Sequence, residues 1–140
     1  MDISQLPFNQ LIGLELASPD SDLLISLPAG VQYTNHLGTV HGSALLAVAE
    51  AGSGVFLMQQ FGDSAGFIPV VRKLEAKFRK PASGRVSARS VVKPDEISHW
   101  ASELATRERL SAVIPMEIVD EGGVVVMSAV VEWFIAKTGK

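Results

Sequence analysis

Residues Asn35–Gly62 read NHLGTVHGSALLAVAEAGSGVFLMQQFG, and the fold is decided by how this stretch is read. From Ala44 to Met58 every position is apolar or small except Glu50 and Ser53. A helix that is apolar on all sides is buried all round. Fifteen residues of helix span about 22 Å, short of the ~30 Å core of a bilayer, where a carboxylate in mid-span would also be costly. The stretch is therefore expected to be the central helix of a globular domain rather than a membrane span. Glu50 is its one acidic side chain.

Asn35, His41 and Gly42 lie just before this helix. Its first turn offers free backbone N–H groups and the positive end of the helix dipole. A donor-rich helix start combined with a partly buried carboxylate suits polarising a carbonyl and delivering a nucleophile or base. Glu50 follows His41 by nine residues, so one helix holds the two about 13 Å apart along its axis. They can serve one reaction centre only if the second comes from another copy of the helix, as in a two-fold dimer with antiparallel helices.

The pattern Asn35-x-x-Gly38-x-x-His41-Gly42, with Glu50 nine residues after the histidine, resembles the signature of hotdog-fold acyl-CoA thioesterases of the phenylacetate-pathway type. Ser43 stands where that signature has a second glycine. The motif covers sixteen residues, and the pattern of elements around it extends the resemblance to most of the chain.

Length and composition agree with this reading. A chain of 140 residues makes one domain, spanning 1–140, with room for a core. Its 47% hydrophobic and 19% charged residues fit a globular protein with much buried surface, including a subunit interface. A net charge of −3 gives no electrostatic footprint for nucleic acid. With no cysteine there is no disulfide, thiol nucleophile or Cys-ligated metal. The N-terminus starts acidic and has no long apolar run, so no secretory signal is read there and cytoplasm is the default expectation.

Along the chain, Ile3, Leu6, Pro7, Phe8, Leu11 and Ile12 suggest a short helix capped by Ser4, with Pro7 in its first turn. It would cover one end of the core. Phe8 and Leu11 are expected to pack, with lining of an acyl pocket as the alternative. Residues 13–18 and 23–27 read as a hairpin turning at Pro19–Asp22. Gly62 closes the central helix.

Residues 67–80 alternate as a strand with one face on the core, Ile68, Val70, Leu74, Ala76 and Phe78 opposing Val71, Lys73, Glu75, Lys77 and Arg79. Arg72 falls on the apolar face and needs a partner there, Glu50 or a bound carboxylate, unless it snorkels out at a strand end. Residues 85–92 form another strand. Pro94 opens an amphipathic helix reaching Arg109, with Ile97, Trp100, Ala101 and Leu104 on its apolar face. Residues 111–119 and 124–136 form a last hairpin around Asp120–Gly123, its final strand apolar on both faces and so central. The expected architecture is α+β, an antiparallel sheet wrapped around a long helix, and the resemblance names it the hotdog fold. The helix after Pro94 is extra relative to the simplest members of that superfamily.

The resemblance also assigns roles. Glu50 would be the catalytic carboxylate, attacking the thioester directly or activating water; its structural alternative is a glutamate hydrogen-bonded across a dimer. The Gly42 N–H would polarise the thioester carbonyl, a role worth about 3 kcal/mol per donor. Asn35 would orient nucleophile, water or carbonyl, unless it only builds an Asx-type turn. His41 would fix the loop by hydrogen bonds while reaching the site. Gly38 would serve the turn. Lys80 and Arg85, with Arg79, are candidates for holding coenzyme A phosphates, against the alternative of a solvated basic turn; Arg72 is a substrate-binding candidate only through a bound carboxylate. Relatives carry a Ser or Thr on the strand after the central helix, where this chain has Val71; Ser53 or Ser64 are the hydroxyls that could compensate. No cofactor is implied beyond the coenzyme A of the substrate, and no metal, nucleic acid or membrane.

Three functions follow. The first is an acyl-CoA thioesterase acting at the interface of a homodimer or dimer of dimers. The second is a non-catalytic acyl-thioester binding module. The third is a hydroxyacyl-thioester dehydratase using His36, fourteen residues before Glu50, although the His-Phe-Pro and Pro-Gly elements of such enzymes are absent.

Overall fold

In the computed structural model, which describes residues 1–62 and 66–138, the apolar stretch forms helix α2, Gly42–Phe61. Ser64, one of the two compensating hydroxyls considered above, lies outside the described residues. His41 caps the N-terminus of α2, and Gly62 closes its C-terminus at φ 64°, a left-handed value suited to glycine. Twenty residues of helix measure about 30 Å, so α2 is long and apolar enough to cross a membrane. Its length, five residues more than the apolar run of fifteen, therefore does not rule out a span. What makes α2 a core helix is the face it buries, with Val48, Ala49, Ala51, Gly52, Ser53 and Leu57 covered; it is not buried all round, since Leu46, Ala47, Glu50, Phe56 and Met58 stay partly open.

The sheet packed on α2 contains β1 (Glu15–Leu16), β2 (Ile25–Leu27), β3 (Phe67–Phe78), β4 (Val86–Ser90), β5 (Arg109–Val119) and β6 (Val125–Lys137). Their order is β1-β2-β4-β5-β6-β3, and every pairing is antiparallel. Ile25, Val86, Ala88, Ile114, Met116, Ile118 and Val131 join the buried core with α2. A Cβ at Gly52 would lie 2.6 Å from Ala88 Cβ and 3.1 Å from Met116 Cε, so glycine lets helix and sheet approach this closely. β6 lies between β5 and β3, an interior position as its apolar composition suggested.

β3 departs from the sequence reading. The register shifts between Val71 and Lys73, so Arg72 is an extra residue that reverses the alternation. Phe67, Pro69 and Val71 therefore share the helix-facing side with Leu74, Ala76 and Phe78, while Ile68 and Val70 share the outer side with Lys73, Glu75 and Lys77. β3 is also an edge strand. Its apolar residues are not covered within the chain: Ile68 is 56% exposed and Val70 48%.

The N-terminal segment differs in its caps. Asp2, not Ser4, is the capping side chain, and it caps a 3₁₀ turn over Ile3–Gln5. Helix α1, Pro7–Ile12, follows with Leu6 before it and Pro7 at its first position. Phe8 and Leu11 are exposed, so they do not pack into the core of this chain. Helix α3, Pro94–Arg107, ends two residues before the expected Arg109, at Glu108 with φ 61°. Trp100 and Leu104 are buried and Ala101 is exposed. The Trp100 ring meets Phe56 edge-on at 6.3 Å and Phe61 at 6.4 Å between centroids, which fastens α3 to the C-terminal half of α2.

Candidate functional site

The loop before α2 is locked by its own side chains. Asn35 Oδ1 accepts from the N–H groups of Leu37 (2.9 Å) and Thr39 (3.2 Å), and the side-chain amide Nδ2 donates to Thr39 Oγ1 at 3.0 Å. This is the Asx-type arrangement offered above as the alternative to a direct role. Gly38 turns the loop at φ 78°, as expected. The His41 N–H donates to the Tyr33 carbonyl at 2.7 Å, and the Val40 N–H to the Ala82 carbonyl at 2.8 Å. The second bond ties the helix start to the turn flanked by Lys80 and Arg85.

His41 Nδ1 accepts the Ser43 N–H at 3.0 Å, so the neutral imidazole carries its proton on Nε2. Among the described residues the Gly42 N–H meets no acceptor. A Cβ at Gly42 would stand 3.3 Å from the Phe78 ring; glycine thus lets Phe78 pack against the helix start. The result is an open backbone donor at the positive end of a 20-residue helix.

Glu50 is partly buried, and its carboxylate has no hydrogen-bond or ion-pair partner among the described residues. Burial pushes its pKa above the ordinary 4.5, since desolvation disfavours the charged form. Ser53 Oγ donates to the Glu50 carbonyl at 2.7 Å and accepts the Trp133 indole N–H at 2.8 Å. Its one hydrogen is committed and one of its lone pairs is occupied, so it has no hydrogen left to donate elsewhere. Val71 itself pairs with Trp133 in the β3–β6 register, on the side of the sheet that faces α2.

The candidate residues divide into groups. Asn35, Gly38, His41 and Gly42 come together at the helix start. Glu50 stands about 12 Å farther along the axis than Gly42, and the chain does not bring the two together. Arg72 is not a partner of Glu50: the bulge turns it to the outer face, where its guanidinium lies 4.9 Å from the Phe134 ring centroid. Arg85 pairs with Glu15 at 2.7 Å, Arg79 donates to Ser128 Oγ at 2.6 Å, and Lys80 is exposed. His36 is exposed on the motif loop.

A cavity of about 310 Å³ at the helix start is lined by Phe8, Tyr33, His41, Ser43, Ala44 and Ala47, so Phe8 lines a pocket, the alternative offered for it, while Leu11 is not among the lining residues. Trp133 escaped the sequence reading; its one signal is a polar indole in a strand whose register faces an apolar helix.

A family model described as a domain of unknown function, DUF4442, matches residues 12–135. No curated protein matches the chain. Solved structures do. One is a protein of unknown function from Pseudomonas aeruginosa described as a probable thioesterase, at 25% identity and TM-score 0.81, the match covering 96% of this chain and 91% of that one. A thioesterase from Haemophilus influenzae is similar at 16% identity and TM-score 0.72, over 99% and 88% of the two chains. A Bacillus halodurans protein solved with CoA is similar at 18% identity and TM-score 0.68, over 91% and 74%. The α+β hotdog fold expected from the motif is the fold of this chain.

Proposed function

The chain belongs to the DUF4442 family, and on that premise we propose that it is an acyl-CoA thioesterase whose site is completed by a second copy of the chain. One observation carries this reading: an unpartnered, partly buried Glu50 carboxylate on the same helix as an unengaged Gly42 N–H. The two lie too far apart to reach one thioester within a chain. Antiparallel packing of two α2 helices about a two-fold axis sets Glu50 of each beside the helix start of the other. The incomplete burial of Ser43, Leu46, Ala47 and Glu50 and the open edge of β3 support such a dimer.

The Gly42 N–H of one subunit donates to the thioester oxygen as it gains charge, aided by the helix dipole. Glu50 of the other supplies the oxygen nucleophile. In one route its carboxylate attacks the carbonyl carbon, the C–S bond breaks with CoA leaving as thiolate, and water then hydrolyses the acyl–glutamate anhydride. In the other it takes a proton from water, and hydroxide adds to the same carbon. Asn35 and His41 shape the donor loop, and the His41 Nε2–H is available as a second donor. Lys80 and Arg85 flank a turn bonded to that loop and are suited to the phosphates of coenzyme A; Arg72, on the far face of the sheet, is not. The committed hydroxyl of Ser53 and the hydrocarbon at Val71 support a second reading, binding without turnover.

Free-thiol release from a panel of acyl-CoAs separates the two. Turnover that falls at least a hundredfold in both Glu50→Ala and Glu50→Gln is expected. Tight binding with no thiol release would favour the binding module, and turnover unchanged in the two variants would remove Glu50 from the chemistry. Single turnover in H₂¹⁸O then tests for direct attack, because label enters the Glu50 carboxylate only when the anhydride forms and water adds at its glutamyl carbon.

A further inference from the structure

Downstream of Glu50 the structure contains a larger, half-enclosed cavity of about 560 Å³ that the motif does not account for. Its floor is the stripe of α2 that continues from Glu50. At 100° per residue, positions four, seven and eleven later return to the same face, and these are Gly54, Leu57 and Phe61, all cavity-lining. Pro69, Trp133 and Ile135 from the inner face of the sheet form the opposing wall, and Leu104 of α3 stands among the lining residues. Among the described residues no charged side chain lines it, though Met1 with its α-amino group borders it. The Trp133 indole N–H is already taken by Ser53 Oγ. Such a space rejects polar groups, which would be desolvated with nothing to pair with.

We propose that this cavity is the acyl-chain site and that the substrate is an unbranched aliphatic acyl thioester of medium length. The proposal rests on the thioesterase reading above and adds to it the class of acyl group. Helix geometry sets the length. Gly54 lies about 6 Å and Phe61 about 16 Å beyond Glu50 along the axis. An extended chain advances about 1.2 Å per bond, by analogy with the three bonds of a peptide residue. Acyl groups shorter than about six carbons stop before the cavity floor begins, and chains of about fourteen reach its end. Each methylene that enters is expected to strengthen binding about fourfold, the equivalent of ~0.8 kcal/mol per buried CH₂.

Gly54 offers the means to test this. A Cβ there would meet Trp133 at 3.5 Å and Ile3 at 3.8 Å, ordinary contact distances, so a larger side chain enters the cavity without displacing backbone. In Gly54→Leu the ratio of kcat/KM for dodecanoyl-CoA to that for butyryl-CoA should drop at least tenfold, with Gly54→Ala intermediate. An unchanged ratio in both variants would overturn the proposal. Calorimetric titration with dodecanoate, compared with butyrate, reads the cavity independently of turnover. Dodecanoate binding to the wild type that is lost in Gly54→Leu supports the cavity even if no acyl-CoA is hydrolysed, in which case only the thioesterase reading fails. Absence of dodecanoate binding, or equal binding in wild type and Gly54→Leu, overturns the acyl site whatever the turnover.

Discussion

At Glu50 burial and chemistry pull in opposite directions. Desolvation raises its pKa above 4.5, yet the carboxylate must be ionised to attack or to accept a proton. Because the folded chain binds this proton more tightly than the unfolded chain, stability falls as pH rises from 4.5 through the folded pKa. The cost is then constant at higher pH and absent below 4.5. Glu50→Gln removes it, so the variant should be more stable than wild type at pH 8, the gain shrinking to nothing near pH 4; urea melts at the two pH values measure it. The same shift places the acid limb of kcat/KM above 4.5. A limb at or below 4.5 would mean that a helix start facing Glu50 across an interface outweighs burial.

Between elements, Gly52 sets the spacing of α2 on the sheet. Gly52→Ala improves helix propensity by about 1 kcal/mol but puts a methyl 2.6 Å from Ala88 Cβ, an overpacking that costs about 1–3 kcal/mol. Ala88 Cβ is bonded directly to its backbone and cannot rotate away, so a net loss of about 1 kcal/mol is expected in chemical denaturation. Unchanged or raised stability would show that helix and sheet can separate at no cost. Sequence reasoning reached α2 because apolarity on every side, a polar motif before it and Gly62 after it all signal one buried helix. It reached the β5–β6 hairpin through Asp120–Gly123, and α3 through Pro94 and the Ile97–Leu104 spacing. It missed the bulge at Arg72, since Val71 and Val70 suit either face and an inserted residue leaves no compositional trace. Nor does alternation distinguish a core strand from an edge strand awaiting a partner, which is how β3 was misread. The helix-start loop was accessible because its bonds are local. The cavity was not, because Gly54, Pro69, Leu104 and Trp133 meet only after the sheet has closed on α2.

For the molecule as a whole, the decisive matter is whether one chain holds a complete site. Gly42 is the first residue of α2, a position where proline fits and its missing N–H breaks no helical bond. His41 before it is already extended at φ −63°, ψ 140°, the conformation a following proline requires. Gly42→Pro therefore deletes the donor while keeping the helix, with the Phe78 ring yielding a few tenths of an ångström. Loss of one such donor lowers kcat by about 10²–10³. If each site takes Glu50 from one subunit and Gly42 from the other, a mixed dimer of Glu50→Gln and Gly42→Pro chains contains one site with both groups intact and one with neither. After the two inactive variants are unfolded together and refolded at equal concentration, half the dimers are mixed, and activity should return to about a quarter of wild type. Sites built within single chains would give no recovery at any mixing ratio, because every chain then carries a defect of its own.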